Sequence, residues 1–100
     1  MTAIVQINFT YAEPDAEFRA AAQAAAPKFA GLDGLAWKIW LIDEERKEAG
    51  GIYFFRTRAK AEAYVGGDIV AGLREARPDV VVKVFDNLEE VSAHTGGFAY

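Results

Sequence analysis

The chain of 100 residues has no cysteine, which removes disulfides, thiolate metal sites and a thiol nucleophile together. It has a single histidine, His94, and one imidazole without partners is a poor metal ligand set. No metal site is expected. Positive charge is not in excess: the formal net charge is −4, which argues against general affinity for nucleic acid. No apolar run reaches the roughly 18 residues of a membrane span. The start, MTAIVQINFT, lacks a basic segment followed by a long apolar stretch, so no signal peptide is expected and a cytoplasmic location is. Phosphate loops, dinucleotide fingerprints and Ser-His-Asp patterns are all missing.

Apolar residues, by contrast, make up 52% of the chain and charged ones 26%, the balance of one globular domain spanning residues 1–100. Ala3 to Thr10 is rich in Ile, Val and Phe and predicts a first strand. Glu13-Pro14-Asp15 then reads as a helix start, with proline near the first helical position. The alanine-dense run that follows sets Phe18, Ala22, Ala25 and Phe29 on one stripe, and Pro27 is expected to end or kink it. Gly31 to Gly34 is a turn.

The segment LAWKIWLIDEERKEAGGIYFF, Leu35 to Phe55, predicts a hairpin: two β-prone runs around an uninterrupted charged tip. Gly50-Gly51 suggests a bulge or a close chain approach rather than a phosphate loop, since no helix start follows it. The clustered carboxylates Asp43, Glu44 and Glu45 read as solubilising tip residues. Thr57 is a plausible cap for a helix to Val65, Gly66-Gly67 interrupts it, and Asp68 is expected to cap a second piece carrying Ile69, Leu73 and Ala76. Val80 to Phe85 is the last strong strand, and the tail 87–100 is read as a short extra element or a dimer-exchanging arm. The order β-α-β-β-α-β predicts the α+β, ferredoxin-like class: a four-stranded antiparallel sheet with helices on one face.

One face of such a sheet is covered by helices, and the other is ordinarily polar. Here neither face is. Leu35, Trp37, Ile39 and Leu41 alternate with Ala36, Lys38, Trp40 and Ile42, and Ile52 and Phe54 alternate with Tyr53 and Phe55. An apolar second face of this size calls for a cover, and a second copy of the chain, sheet against sheet, is the economical one. On this reading Trp37 packs beneath the helices while Trp40 faces a space closed by dimerisation. The polar residues Gln6, Asn8, Lys38, Tyr53 and Lys83 would lie in that space beside Trp40 and Phe85, which describes a small-molecule pocket.

The segments VQINF, WKIW, EAGGIYFF and KVFD, in this order and spacing, resemble the YdhR-like monooxygenase family of the dimeric α/β-barrel superfamily, over about residues 4 to 86. The resemblance implies a ferredoxin-like subunit, a homodimer and a pocket associated with each sheet. Cofactor-free oxygenation of phenolic or quinol-like aromatics by dioxygen is one activity of that superfamily; isomerases, lyases and haem-degrading enzymes are others. Carried over by residue type and strand position, it makes Asn8, Trp40 and Tyr53 candidate catalytic residues, with Gln6, Lys38, Lys83 and Phe85 as candidate substrate contacts. No cofactor is expected. A non-catalytic small-ligand-binding or stress-associated dimer remains the rival reading. An RNA-binding ferredoxin-like domain is disfavoured by charge and by the lack of a basic residue at the start of GGIYFF.

Overall fold

A computed structural model describes residues 1–97 of the chain. Strand β1, Ala3–Thr10, alternates buried and half-buried positions, as a central strand between two unlike surfaces must. It pairs antiparallel with β3, Glu48–Phe55, on one side and β4, Val81–Asp86, on the other. Strand β2, Leu35–Asp43, completes the sheet at the edge beside β3, and the strand order is β2-β3-β1-β4. Helix α1, Asp15–Ala30, connects β1 to β2; α2, Arg58–Val65, and α3, Asp68–Ala76, connect β3 to β4. This is the expected ferredoxin-like α+β arrangement, with the second helical connection broken in two at Gly66-Gly67.

Local chemistry accounts for most boundaries. The Thr57 hydroxyl accepts a hydrogen bond from the Lys60 amide at 3.1 Å, satisfying one orphan donor at the start of α2. Asp68 was expected to do the same for α3, but it is the first helical residue and Gly67 takes the cap position without a side-chain bond. Asp68 therefore acts on the helix N-terminus through its charge alone. Pro27 does not end α1, which continues through Ala30. In the last turn its missing N–H costs one bond, and few carbonyls beyond it depend on the helix.

The hairpin tip is Glu44–Lys47, where Lys47 takes a left-handed conformation with φ 54°. Its ammonium reaches back to Asp15 at 2.7 Å, tying the tip to the start of α1. Gly50 is a close approach: a Cβ there would collide with the Ile7 backbone. The bulge lies elsewhere, between Leu35 and Trp37 in β2, where one extra residue enters the register against Phe55 and Phe54.

That bulge reverses the expected faces. Leu35 still sits beside Phe55 on the helical side, but beyond the bulge Lys38 pairs with Tyr53 and Trp40 with Gly51 on that same side. Trp37 instead lies with Phe54 on the open face, ring centroids 5.0 Å apart. A one-residue slip turns every following side chain over. The expectation that Trp37 packs beneath the helices and Trp40 faces away from them is thus corrected.

Val5, Ile7, Tyr53 and Phe55 from the sheet meet Ala61, Tyr64 and Val70 from α2 and α3 to form the core. Each of the larger apolar chains here contributes roughly 1.5–3 kcal/mol relative to exposure. Helix α1 has no fully buried residue, so it stands off from the sheet and leaves room beneath it. After β4 a short helix, α4 (Glu89–Ser92), and a single 3₁₀ turn fold back on the chain's own N-terminal end. Glu89 accepts from the Thr2 amide at 2.7 Å, and the Asn87 amide group donates to the Thr2 hydroxyl at 3.1 Å. The arm expected over 87–100 falls partly on residues 98–100, which lie outside the described residues.

Candidate active site

The room under α1 is a cavity of about 590 Å³ between the sheet and the helices, open to solvent on one side. Its floor is Ile7, Lys38, Trp40 and Tyr53 of the sheet; its walls come from Phe18, Ala22, Ala26 and Phe29 of α1 and Ile69, Gly72 and Leu73 of α3. The small residues of α1 face the sheet here, which is why an alanine-dense helix makes a pocket where larger side chains would fill it. The cavity belongs to one chain and lies on the helical side of the sheet, whereas the sequence placed the space between two sheets.

Lys38 dominates the chemistry of this cavity. Its Nζ lies 3.3 Å from the centroid of Trp40, 3.7 Å from that of Phe29 and 4.5 Å from that of Tyr53. Trp40 and Phe29 meet edge to face at 5.2 Å, so the three rings form one aromatic box around the amine. Among the described residues no carboxylate comes within ion-pairing distance of it. Burial lowers the ammonium pKa to about 7. The ring faces pull the other way by favouring the cation, so amine and ammonium are both populated near neutrality.

Beside the box stand two tyrosines. The Tyr64 hydroxyl of α2 donates to the Tyr53 oxygen at 3.1 Å, and both residues line the cavity. Burial pushes the Tyr53 phenol well above its ordinary value and raises that of Tyr64 as well. Both hydroxyls are protonated at neutral pH. Two neutral hydroxyls sharing one bond leave one hydrogen over, here that of Tyr53, for a third acceptor.

One end of the cavity is braced by Arg77, which grips Glu13 with two bonds of 3.0 and 2.7 Å. The guanidinium also lies 5.2 Å from the Phe9 ring and 5.8 Å from the Phe18 ring. At the mouth, Arg19 pairs with Glu44 of the hairpin tip at 2.8 Å.

The seven residues singled out from the sequence do not form one site. Lys38, Trp40 and Tyr53 line the cavity. Gln6, Asn8, Lys83 and Phe85 sit on the opposite face, the Gln6 side-chain amide donating to Asn8 Oδ1 at 3.0 Å and Gln6 pairing across the sheet with Lys83. Sequence reading missed Tyr64, Gly72 and Phe29 as cavity residues. Tyr64 carried a signal, being the one hydroxyl-bearing side chain in an otherwise alanine-lined α2 face. Among the described residues no cluster of metal-ligating side chains occurs.

With this geometry in view, the comparisons are specific. Residues 4–98 match the family described as "Putative mono-oxygenase ydhR". The chain belongs to this family. No protein of curated function matches it in sequence. In fold it is similar to the NE2512 protein of unknown function from Nitrosomonas europaea, with a TM-score of 0.67 and 18% identity over 87% of this chain and 89% of that one. It is also similar to Rv0793 from Mycobacterium tuberculosis, with a TM-score of 0.64 and 19% identity over 88% of this chain and 96% of that one. At such identities the likeness is one of fold.

Proposed function

We propose that the chain is a cofactor-independent monooxygenase acting on a small phenolic or quinol-like aromatic, and that it works as a homodimer. The observation that carries this reading is the Lys38 amine, boxed by three rings on the wall of an apolar cavity without a carboxylate partner. Such an amine can take a proton from a bound phenol and, as an ammonium, hold the phenolate it has made. The spare Tyr53 hydrogen donates to the same oxygen. An electron-rich anion in this apolar pocket then passes one electron to dioxygen, the two radicals combine into a carbon-bound hydroperoxide, and loss of water leaves a new carbonyl. One oxygen atom stays on the product and the other departs as water, so no external reductant is needed.

On this reading Trp40 and Tyr53 keep the roles expected of them, while Asn8, Gln6, Lys83 and Phe85 move to the dimer interface. Ile39, Val81 and Phe85 are about half exposed on the open face, at 51%, 49% and 48%. A second copy laid sheet to sheet covers them.

Oxygen uptake with a panel of quinols and anthrones tests the proposal. Turnover should rise with pH through about 7 as the amine form of Lys38 appears, and Lys38→Met should abolish it. Saturable quenching of tryptophan fluorescence by the same compounds, with no oxygen consumed, would instead leave a binding protein.

A further inference from the structure

Lys38 differs from the other lysines in ways that proton transfer alone does not require. Lys47 and Lys60 are held by Asp15 and Asp33, Lys28 is exposed on α1, and Lys83 lies on the far face of the sheet. Lys38 alone combines an unpaired amine, an aromatic surround and an apolar cavity directly before it. The charged and titratable groups that face it from the packed elements are Arg19 of α1, Tyr53 of β3 and Tyr64 of α2; α3 contributes only apolar residues and glycine. None is a carboxylate that would hold the ammonium form.

We propose that Lys38 forms a reversible imine with an apolar aldehyde or ketone bound in this cavity. The amine lone pair attacks the carbonyl carbon and forms a C–N bond, while the carbonyl π pair moves to oxygen. That oxygen gains protons, the nitrogen loses its own, and the C–O bond breaks to release one water. The result is a C=N bond with no change in oxidation state. Two features of the cavity favour it. The Tyr53 hydroxyl can donate to the carbonyl oxygen as charge develops there. The protonated imine is itself a cation on the same nitrogen, which lies over the rings of Trp40, Phe29 and Tyr53. Burial keeps part of the amine neutral and nucleophilic, and a fully solvated lysine at pH 7 lacks this. The inference shares the cavity with the oxidation proposed above, but not its chemistry.

The test is reductive trapping on the full chain with cinnamaldehyde and sodium cyanoborohydride at pH 7, where hydride converts the imine to a stable secondary amine. Intact mass and peptide mapping then locate the adduct and separate it from the N-terminal amine. One adduct at Lys38, forming at least about tenfold faster than at Lys28 or Lys83, is the expected result, with a rate that climbs through pH 7. Lys38→Arg keeps a cation in the box and should lose this adduct while slower labelling elsewhere continues. Labelling spread evenly over the lysines, or unchanged in Lys38→Arg, would overturn the proposal. A Lys38 adduct without oxygen uptake from quinols would uphold the imine and reject the oxidation. Uptake without a Lys38 adduct would do the reverse.

Discussion

The Tyr64 hydroxyl donates to the Tyr53 oxygen at 3.1 Å, across the seam where α2 lies on β3. Because burial keeps both phenols protonated, this bond engages one of the two hydrogens and leaves the other, that of Tyr53, for a ligand in the cavity. Tyr64 thus acts on a ligand through Tyr53. Tyr64→Phe removes a bond of about 1 kcal/mol, so phenolic ligands should bind roughly fivefold more weakly. Tryptophan fluorescence titration reads the change because Trp40 lines the cavity while Trp37 lies on the other face, and a ligand lacking oxygen should bind the variant as tightly as the parent. Equal weakening for both ligands would mean that Tyr64 only shapes the wall.

The hairpin, the broken second helix and the ferredoxin-like order were legible because each rests on local chemistry: β-branched and aromatic runs, paired glycines, the Thr57 cap. Of the candidate cavity, only part of the lining was legible. Lys38, Trp40 and Tyr53 stood out as polar or aromatic residues in strands, but which side they face depends on one extra residue between Leu35 and Trp37. Nothing in LAWKIW marks that residue as a bulge, since neither glycine nor a turn residue is present. The helical wall was hidden for a different reason. A stripe of Phe18, Ala22 and Phe29 looks the same whether it packs on a sheet or stands away from one. Only the absence of any fully buried residue in α1 separates the two cases.

Gly72 sits in the middle of α3 on the cavity wall, and a Cβ added there meets no atom within 4 Å. Glycine inside a helix costs about 1 kcal/mol relative to alanine, so its presence here costs stability and keeps space. Gly72→Ala should raise the unfolding free energy by about 0.5–1 kcal/mol in urea titration. Gly72→Leu should preserve a cooperative unfolding transition while weakening binding of the larger quinols well before the smaller ones. A size-independent loss would show that the residue does not limit the pocket.

The open face supplies a separate prediction. Ile39 at one edge and Phe85 at the other are about half exposed, so charge placed on either opposes sheet-to-sheet association without touching the monomer's own core. Ile39→Glu and Phe85→Glu should each elute later on size exclusion at micromolar concentration, with far-ultraviolet circular dichroism unchanged. A parent chain that already elutes as a monomer would remove the dimer from the proposal.

Glu13 and Arg77 fix the pH dependence of the fold at its acid end. The guanidinium hydrogen bonds first of all, with backbone donors assisting, hold the Glu13 carboxyl down to about 2 from an ordinary value of 4.5. The folded state therefore binds this proton less readily than the unfolded chain. Its stabilising contribution is complete above about pH 4.5 and is lost as pH falls toward 2. Asp15, held down chiefly by Lys47, and Asp79, held down chiefly by Thr10, add slope of the same sign. Glu13→Gln should lower the melting temperature at pH 7, because Arg77 then keeps only a neutral acceptor beside the Phe9 and Phe18 rings. As pH drops from 4.5 to 2 the gap between parent and variant should narrow, and thermal unfolding across that window measures it. A gap that stays constant would place the effect in packing rather than in charge.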